Sequence, residues 1–319
     1  MRYIGDVNAL VANVLSRDID VIPLGAQLDL PQMVVVRDAW ASVDGGLTIA
    51  IPKGVRTIYL QLRDPSAPWV QDLRVRQALL YALDRDAFVE ILLSGLTGRA
   101  DFFVPPVDPA NALAEQRGLS HFLFDPTRAD RLLAEAGWTR GSDRMLRNSA
   151  GQTFHIDVTA SGQGANVQEA TTVAGNWASA GFQSAPTPYP AAADNAAEIR
   201  HSQKGALIWP WNFSYTSIGT LHASQIGTEP NTWKGGNYSG YVNPAHDRVY
   251  DELTNTLEPT KRQELTFQVL KVLNDELPVL PIFFTPLCLI ARKGVEGPGM
   301  TSPMQAGNAW NIATWEIKA

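Results

Sequence analysis

The 319-residue chain has one cysteine, Cys288, so it can form neither an internal disulfide nor a zinc site of the four-ligand cysteine kind. The lone thiol, inside "TPLCLIA", reads as a small packed apolar residue. Long apolar runs are also missing. "LPVLPIFF" and "PLCLIA", between Leu277 and Ala291, are interrupted by proline and fall well short of the roughly 20 residues that span a bilayer. Positive charge is in deficit, with 26 Lys and Arg against 32 Asp and Glu and a formal net charge of −6. No broad positive field therefore exists to gather nucleic acid or anionic lipid, and nucleic acid is not an expected partner.

Further absences concern chemistry. No Gly-x-Ser-x-Gly presents a nucleophile, and His121, His155, His201, His222 and His246 are scattered, with none at the i, i+4 spacing of a helical metal pair. Each imidazole is read as packed or solvated. Asp247, Asp251 and Glu252 are expected on the solvent face of an amphipathic helix. "SGQGAN" has the glycines of an anion-binding loop but neither the P-loop lysine nor the full dinucleotide fingerprint; its helix N-terminus, beside Gln163, could still donate to a ligand. No catalytic residue, metal ligand or cofactor is assigned, and an enzyme is not expected.

What is present is a chain that is 45% hydrophobic, enough for one large domain or two ordinary ones. "DVNALVANVLSRDIDVIP" predicts a helix capped by Asp6 or Asn8, then a short strand from Ile19 to Ile22. "VRTIYLQLR" predicts a buried strand, "DPSAPW" a turn, and "LRVRQALLYALDRDAFVEILLSGL" two helices capped by Asp72 and Asp84. "FDPTRADRLLAEAGW" predicts a helix with Asp125 as cap, Pro126 in the first turn, Leu132 and Leu133 inward and Gly137 at its end. "TFHIDVTASGQG" and "GALIW" predict strands, while "VQEATTVAGNWASAGF", "NPAHDRVYDELTNTL" and "TKRQELTFQVLKVLNDELP" predict helices. The mixture is α/β or α+β.

The strongest local oddity is "ALIWPWNFSYTS", which sets Trp209, Trp211, Phe213 and Tyr215 at alternate positions with no charged residue from Gly205 to Thr228. Such alternation suits one face of a core sheet. It equally suits a small-molecule cleft, because Asn212, Ser214 and Thr216 interleave with the rings and Trp233, Asn237, Tyr238 and Tyr241 follow among glycines.

Several stretches together resemble the family 5 extracellular solute-binding proteins, the dipeptide- and oligopeptide-binding components of ABC importers. "DLRVRQALLYALDRDAFVEILLSGL" is similar to that family's signature helix pair, "FDPTRADRLLAEAGW" to its helix after a Tyr-Asp-Pro-like start, and "NYSGYVNPAHDRVYDEL" to its Asn-Tyr-x-x-Tyr-x-Asn-Pro-x-x-Asp segment. The resemblance implies an α/β lobe of periplasmic-binding-protein type II with remnants of the other lobe. Residues 1–54 would belong to the first lobe and a hinge crossing, residues 55–276 would form the second, ligand-binding lobe, and residues 277–319 would return to the first. It further implies a monomer that closes on a small-molecule ligand and delivers it to an ABC permease outside the cytoplasm. "MRYIGDVNAL" shows no signal peptide, and the resemblance implies a chain taken from a longer one.

Peptide binders of the family carry a Trp-x-x-Asp element whose carboxylate meets the peptide's α-amino group. Aligned on Trp209, the element here is "WPWN", with Asn212 in place of the acid. An amide supplies no charge to balance a buried ammonium. The resemblance therefore implies an oligosaccharide, an opine or an unconventional peptide-like ligand, held by Trp209, Trp211, Asn212, Phe213, Tyr215, Trp233, Asn237, Tyr238 and Gln163. A ligand-sensing domain of a regulatory protein is the alternative.

Overall fold

The structure, a computed structural model, describes residues 4–23, 30–193, 195–211, 218–298 and 311–318. Among them six strands carry the main sheet pairings: β1 (Val21–Ile22), β2 (Gly46–Leu60), β3 (Val158–Ser161), β4 (Pro186–Tyr189), β5 (Ala206–Trp211) and β6 (Val279–Arg292). Parallel and antiparallel pairs both occur and helices flank them, so the class is α/β with a mixed sheet.

The chain divides into two compact units, one made of Met1–Lys53, Val89–Gly98 and Thr285–Ala319, the other of Gly54–Phe88 and Arg99–Phe284. The sequence reading gave residues 89–98 to the second lobe and 277–284 to the first; the division places each with the opposite unit. Strands β2 and β6 and the helix Arg85–Leu93 run from one unit into the other.

In unit one, Asp6 caps the helix Val7–Leu15 by accepting from the Ala9 N–H at 2.7 Å. Val11 and Val14 from this helix pack with Met33, Val36 and Trp40 of a second helix, Leu30–Ala41, and with Ile22 and Ile290. The spacing i, i+3, i+7 puts the last three helical residues on one face. Strand β1 pairs antiparallel with the end of β6, Val21 opposite Ala291. Gly46 adopts φ +154°, and a Cβ there would lie 2.3 Å from the Ala291 carbonyl oxygen, so only glycine lets the start of β2 pass so close.

In unit two, Val55–Leu60 of β2 pairs antiparallel with β5, β5 pairs parallel with β3, and β3 pairs parallel with β4. The helices fold as their caps dictate. The carboxylates of Asp72, Asp84 and Asp125 accept from the backbone N–H groups of Arg74, Ala87 and Arg128 at 2.8–3.0 Å, and Asn243 does the same for Ala245 and His246. In the helix Ala165–Ser179, Ala170, Val173, Ala174 and Trp177 are buried at i, i+3, i+4, i+7. The Trp177 indole also donates to the Leu79 carbonyl at 2.9 Å, so its burial leaves no orphan donor.

The differences from the sequence reading have local causes. "DPSAPW" ends in a helical turn, Pro68–Gln71, with Trp69 buried. Leu133 is buried but Leu132 is half-exposed. The strand expected from Thr153 is regular only over Val158–Ser161, because His155 and Thr153 make isolated bridges. Asp247 is not on the solvent face: it is largely buried, accepts from the Ala223 N–H at 3.3 Å and lies 3.1 Å from the His246 ring.

Buried cations stitch unit two together. The Arg85 guanidinium, 2% exposed, donates to the carbonyls of Ala100, Phe122 and Pro281 and pairs with Asp101 at 3.0 Å. Desolvation pushes its pKa down and Asp101 pulls it back. Arg56, on β2, pairs with Glu169 and Asn166 in the first turns of the helix Ala165–Ser179. Burial raises the Glu169 pKa against the pull of Arg56.

Candidate functional site

Along β5 the side chains alternate between faces, so Leu207, Trp209 and Trp211 share one. Register fixes the strand firmly: Thr57 stands opposite Trp209, and its hydroxyl donates to the Trp209 carbonyl at 2.6 Å. The two tryptophans nevertheless have different surroundings. Trp211 is 2% exposed in a core cluster, its ring 5.1 Å from Phe103. That burial makes Trp211 a core residue in this structure rather than a stacking platform. Trp209 is only partly buried, with Tyr238 5.7 Å away and edge-on.

From Trp209 an aromatic series continues. Tyr238 lies 5.4 Å from Tyr59 and 4.7 Å from His201, and His201 stacks on Trp233 at 6.3 Å. Trp233 and Tyr238 remain partly exposed. Arg200, at the end of the helix Ala196–Ser202, places its guanidinium carbon 4.8 Å from the Trp209 ring centroid and 5.6 Å from that of Tyr238. Both are cation–π distances.

His201 sits behind these rings, fully buried. Its Nε2–H donates to the Gly235 carbonyl at 3.2 Å, which leaves Nδ1 to face the Arg63 guanidinium at 3.5 Å. Burial, followed by the Arg63 charge, lowers the imidazole pKa to about 4, so it is neutral at physiological pH. Arg63 also donates to the carbonyls of His201 and Gly227. Gly227 is required for this packing, since a Cβ there would fall 2.4 Å from His201 Nε2.

Asn237 is fully buried. Its amide nitrogen donates to the carbonyls of Leu221, His222 and Tyr241 and its oxygen accepts from the Tyr241 N–H, so both N–H groups are spent in holding a loop. Gln163 is exposed in the turn before the helix Ala165–Ser179, at the carboxyl end of β3. Parallel pairing puts that end beside the carboxyl end of β5, the side of an open α/β sheet where ligands ordinarily bind. Asn212, Phe213 and Tyr215 lie outside the described residues.

Of the expected set the geometry brings together Trp209, Tyr238 and Trp233, with Arg200, Arg63 and His201 beside them, and buries Trp211 and Asn237 among other contacts. Arg200 and His201 carried no sequence signal beyond "EIRHSQ", which reads as an ordinary helix end, and Arg63 only closes the strand "VRTIYLQLR". Among the described residues no group of three or more His, Cys, Asp or Glu could hold a metal ion, and no helix is long and apolar enough to cross a membrane.

The fold is that of the type II periplasmic binding proteins. HbpA2 from Haemophilus parasuis superposes with a TM-score of 0.77 over 100% of this chain and 58% of its own, at 17% identity. The chain belongs to the bacterial extracellular solute-binding proteins, family 5 Middle, whose sequence pattern matches residues 1–224. It is 25% identical over 245 residues to the nickel-binding periplasmic protein of Escherichia coli (strain K12), covering 75% of this chain and 44% of that protein. To the dipeptide-binding protein of the same organism it is 24% identical over 297 residues, 92% of this chain and 50% of the other. The chain therefore spans about half the length of the curated relatives it matches. By their names these relatives bind nickel and a dipeptide.

Proposed function

We propose that this chain carries the ligand-recognising wall of a non-enzymatic, extracytoplasmic solute-binding subunit that hands its cargo to an ABC permease. Unit two is the second lobe of that protein and unit one is part of the first. The ligand is a small polar solute, an oligosaccharide or an unconventional peptide-like molecule, stacked on Trp209 and oriented by Tyr238, Trp233 and the Asn212 amide. The observation that carries this reading is the partly exposed Trp209–Tyr238 pair, in a family defined by solute capture, at the element where Asn212 replaces the amine-binding acid.

A cationic amine at that place would find no counter-charge, and burying it unpaired would cost several kcal/mol, of order the penalty for an isolated buried ion. Asn212→Asp in the intact protein is expected to weaken binding of the molecule that copurifies with it by about tenfold, through an uncompensated carboxylate. Calorimetry showing unchanged affinity would remove Asn212 from the site.

A further inference from the structure

Most arginines of unit two meet a carboxylate: Arg56 pairs with Glu169, Arg85 with Asp101, Arg117 with Glu264 and Arg140 with Asp130. Arg200 meets none among the described residues. Its guanidinium lies against the Trp209 and Tyr238 rings, and its Nε, buried, has no hydrogen-bond partner. The nearest acid on its own helix, Glu198, is two residues away, a spacing that points the two side chains apart.

The second guanidinium of the cluster, Arg63, is engaged by carbonyls rather than by an acid, and the His201 ring between them is neutral. Among the described residues the aromatic wall therefore carries positive charge that no carboxylate offsets. A guanidinium stacked on a ring uses only its flat face. Its terminal N–H groups stay in the plane of the fork, where a carboxylate can be gripped by two parallel hydrogen bonds.

We propose that Arg200 is an anion subsite, so that the ligand bears a carboxylate paired with the Arg200 fork while its body stacks on Trp209. The inference rests on the binding role proposed above and narrows it to acidic solutes, such as a uronic-acid oligosaccharide or an amine-blocked peptide acid.

The test uses matched probes on the intact protein by calorimetry: digalacturonate against galactobiose, and N-acetyl-dialanine against its C-terminal amide. Any molecule that copurifies is identified by mass after denaturation. The expected result is that the acid of one pair binds at least about tenfold tighter than its neutral partner, that R200Q brings the two within about twofold, and that R200K retains part of the preference. Which pair responds tells a sugar acid from a peptide acid. Thermal melting of R200Q within a few degrees of wild type shows that the lost preference is not lost folding. An acid preference below about twofold in wild type, one that survives R200Q, or a neutral copurifying molecule would overturn the carboxylate subsite and leave solute binding standing. If no probe binds and nothing copurifies, the binding role itself falls, and the subsite with it.

Discussion

Arg85 and Arg200 belong to the same unit and the same residue type, yet they are held in opposite ways. Around Arg85 the protein supplies the Ala100, Phe122 and Pro281 carbonyls and the Asp101 carboxylate. Around Arg200 it supplies two ring faces and, among the described residues, no acceptor. A guanidinium whose hydrogen bonds are consumed inside the protein is a structural fastener. One that keeps its N–H groups unspent can meet something from outside. The same contrast separates Trp211, enclosed beside Phe103, from Trp209, which lies partly open one alternation earlier on the same strand.

The largest expected effect comes from breaking the fastener. Arg85→Met leaves three buried carbonyls without this donor and Asp101 with only Arg99 and His121, and should lower the unfolding free energy by about 3–5 kcal/mol in denaturant titrations. Arg200→Gln loses only cation–π contact and should change it by less than about 1 kcal/mol. Equal losses for the two arginines would collapse the comparison. The tryptophans sharpen it in the same way. Trp211→Ala should cost about 3–5 kcal/mol of stability by emptying a core site. Trp209→Ala should cost less stability and instead weaken ligand binding by about tenfold or more, read by calorimetry beside the melting curve.

His201 provides the smallest effect and a signed one. Its folded-state pKa, about 4, is below the ordinary imidazole value of about 6.5, so between those values the unfolded chain binds a proton that the folded protein refuses. Stability contributed by the neutral ring is complete above pH 6.5 and declines as the pH falls toward 4, by up to about 3 kcal/mol. Urea titrations of wild type and His201→Gln across that window should diverge as the pH falls, wild type losing more. Parallel curves would mean that the ring is protonated inside the fold and that the positive charge on the wall is larger still.

Much of the fold was legible because its signals are local. Asp6, Asp72, Asp84, Asp125 and Asn243 each cap a backbone N–H two or three residues onward, so the residues that announce a helix also make its first bond. Gly137, at φ +87°, ends a helix by the same kind of short-range rule. Among the elements that escaped that reading, two show why. The helix Leu30–Ala41 contains "MVVV", whose β-branched run imitates a strand, and it forms because Met33, Val36 and Trp40 find Val11 and Val14. Strand β6 was divided by Pro281 and Pro286, which remove N–H donors but keep carbonyls, and the Pro281 carbonyl accepts from Arg85.

By itself the sequence determined most of the helices, the strand β5 with its aromatic alternation, the resemblance to the family, and an amide at 212 where that resemblance implies an acid in peptide binders. Only the tertiary structure decided which tryptophan is enclosed and which is open, that the Asn237 amide nitrogen is spent on backbone, and that Arg200 arrives over Trp209 with no carboxylate among the described residues. The physical reason is range. Caps and alternation act over a few residues, whereas burial and the pairing of a charge depend on what other segments bring to the same place, and those partners are named nowhere near the residue itself.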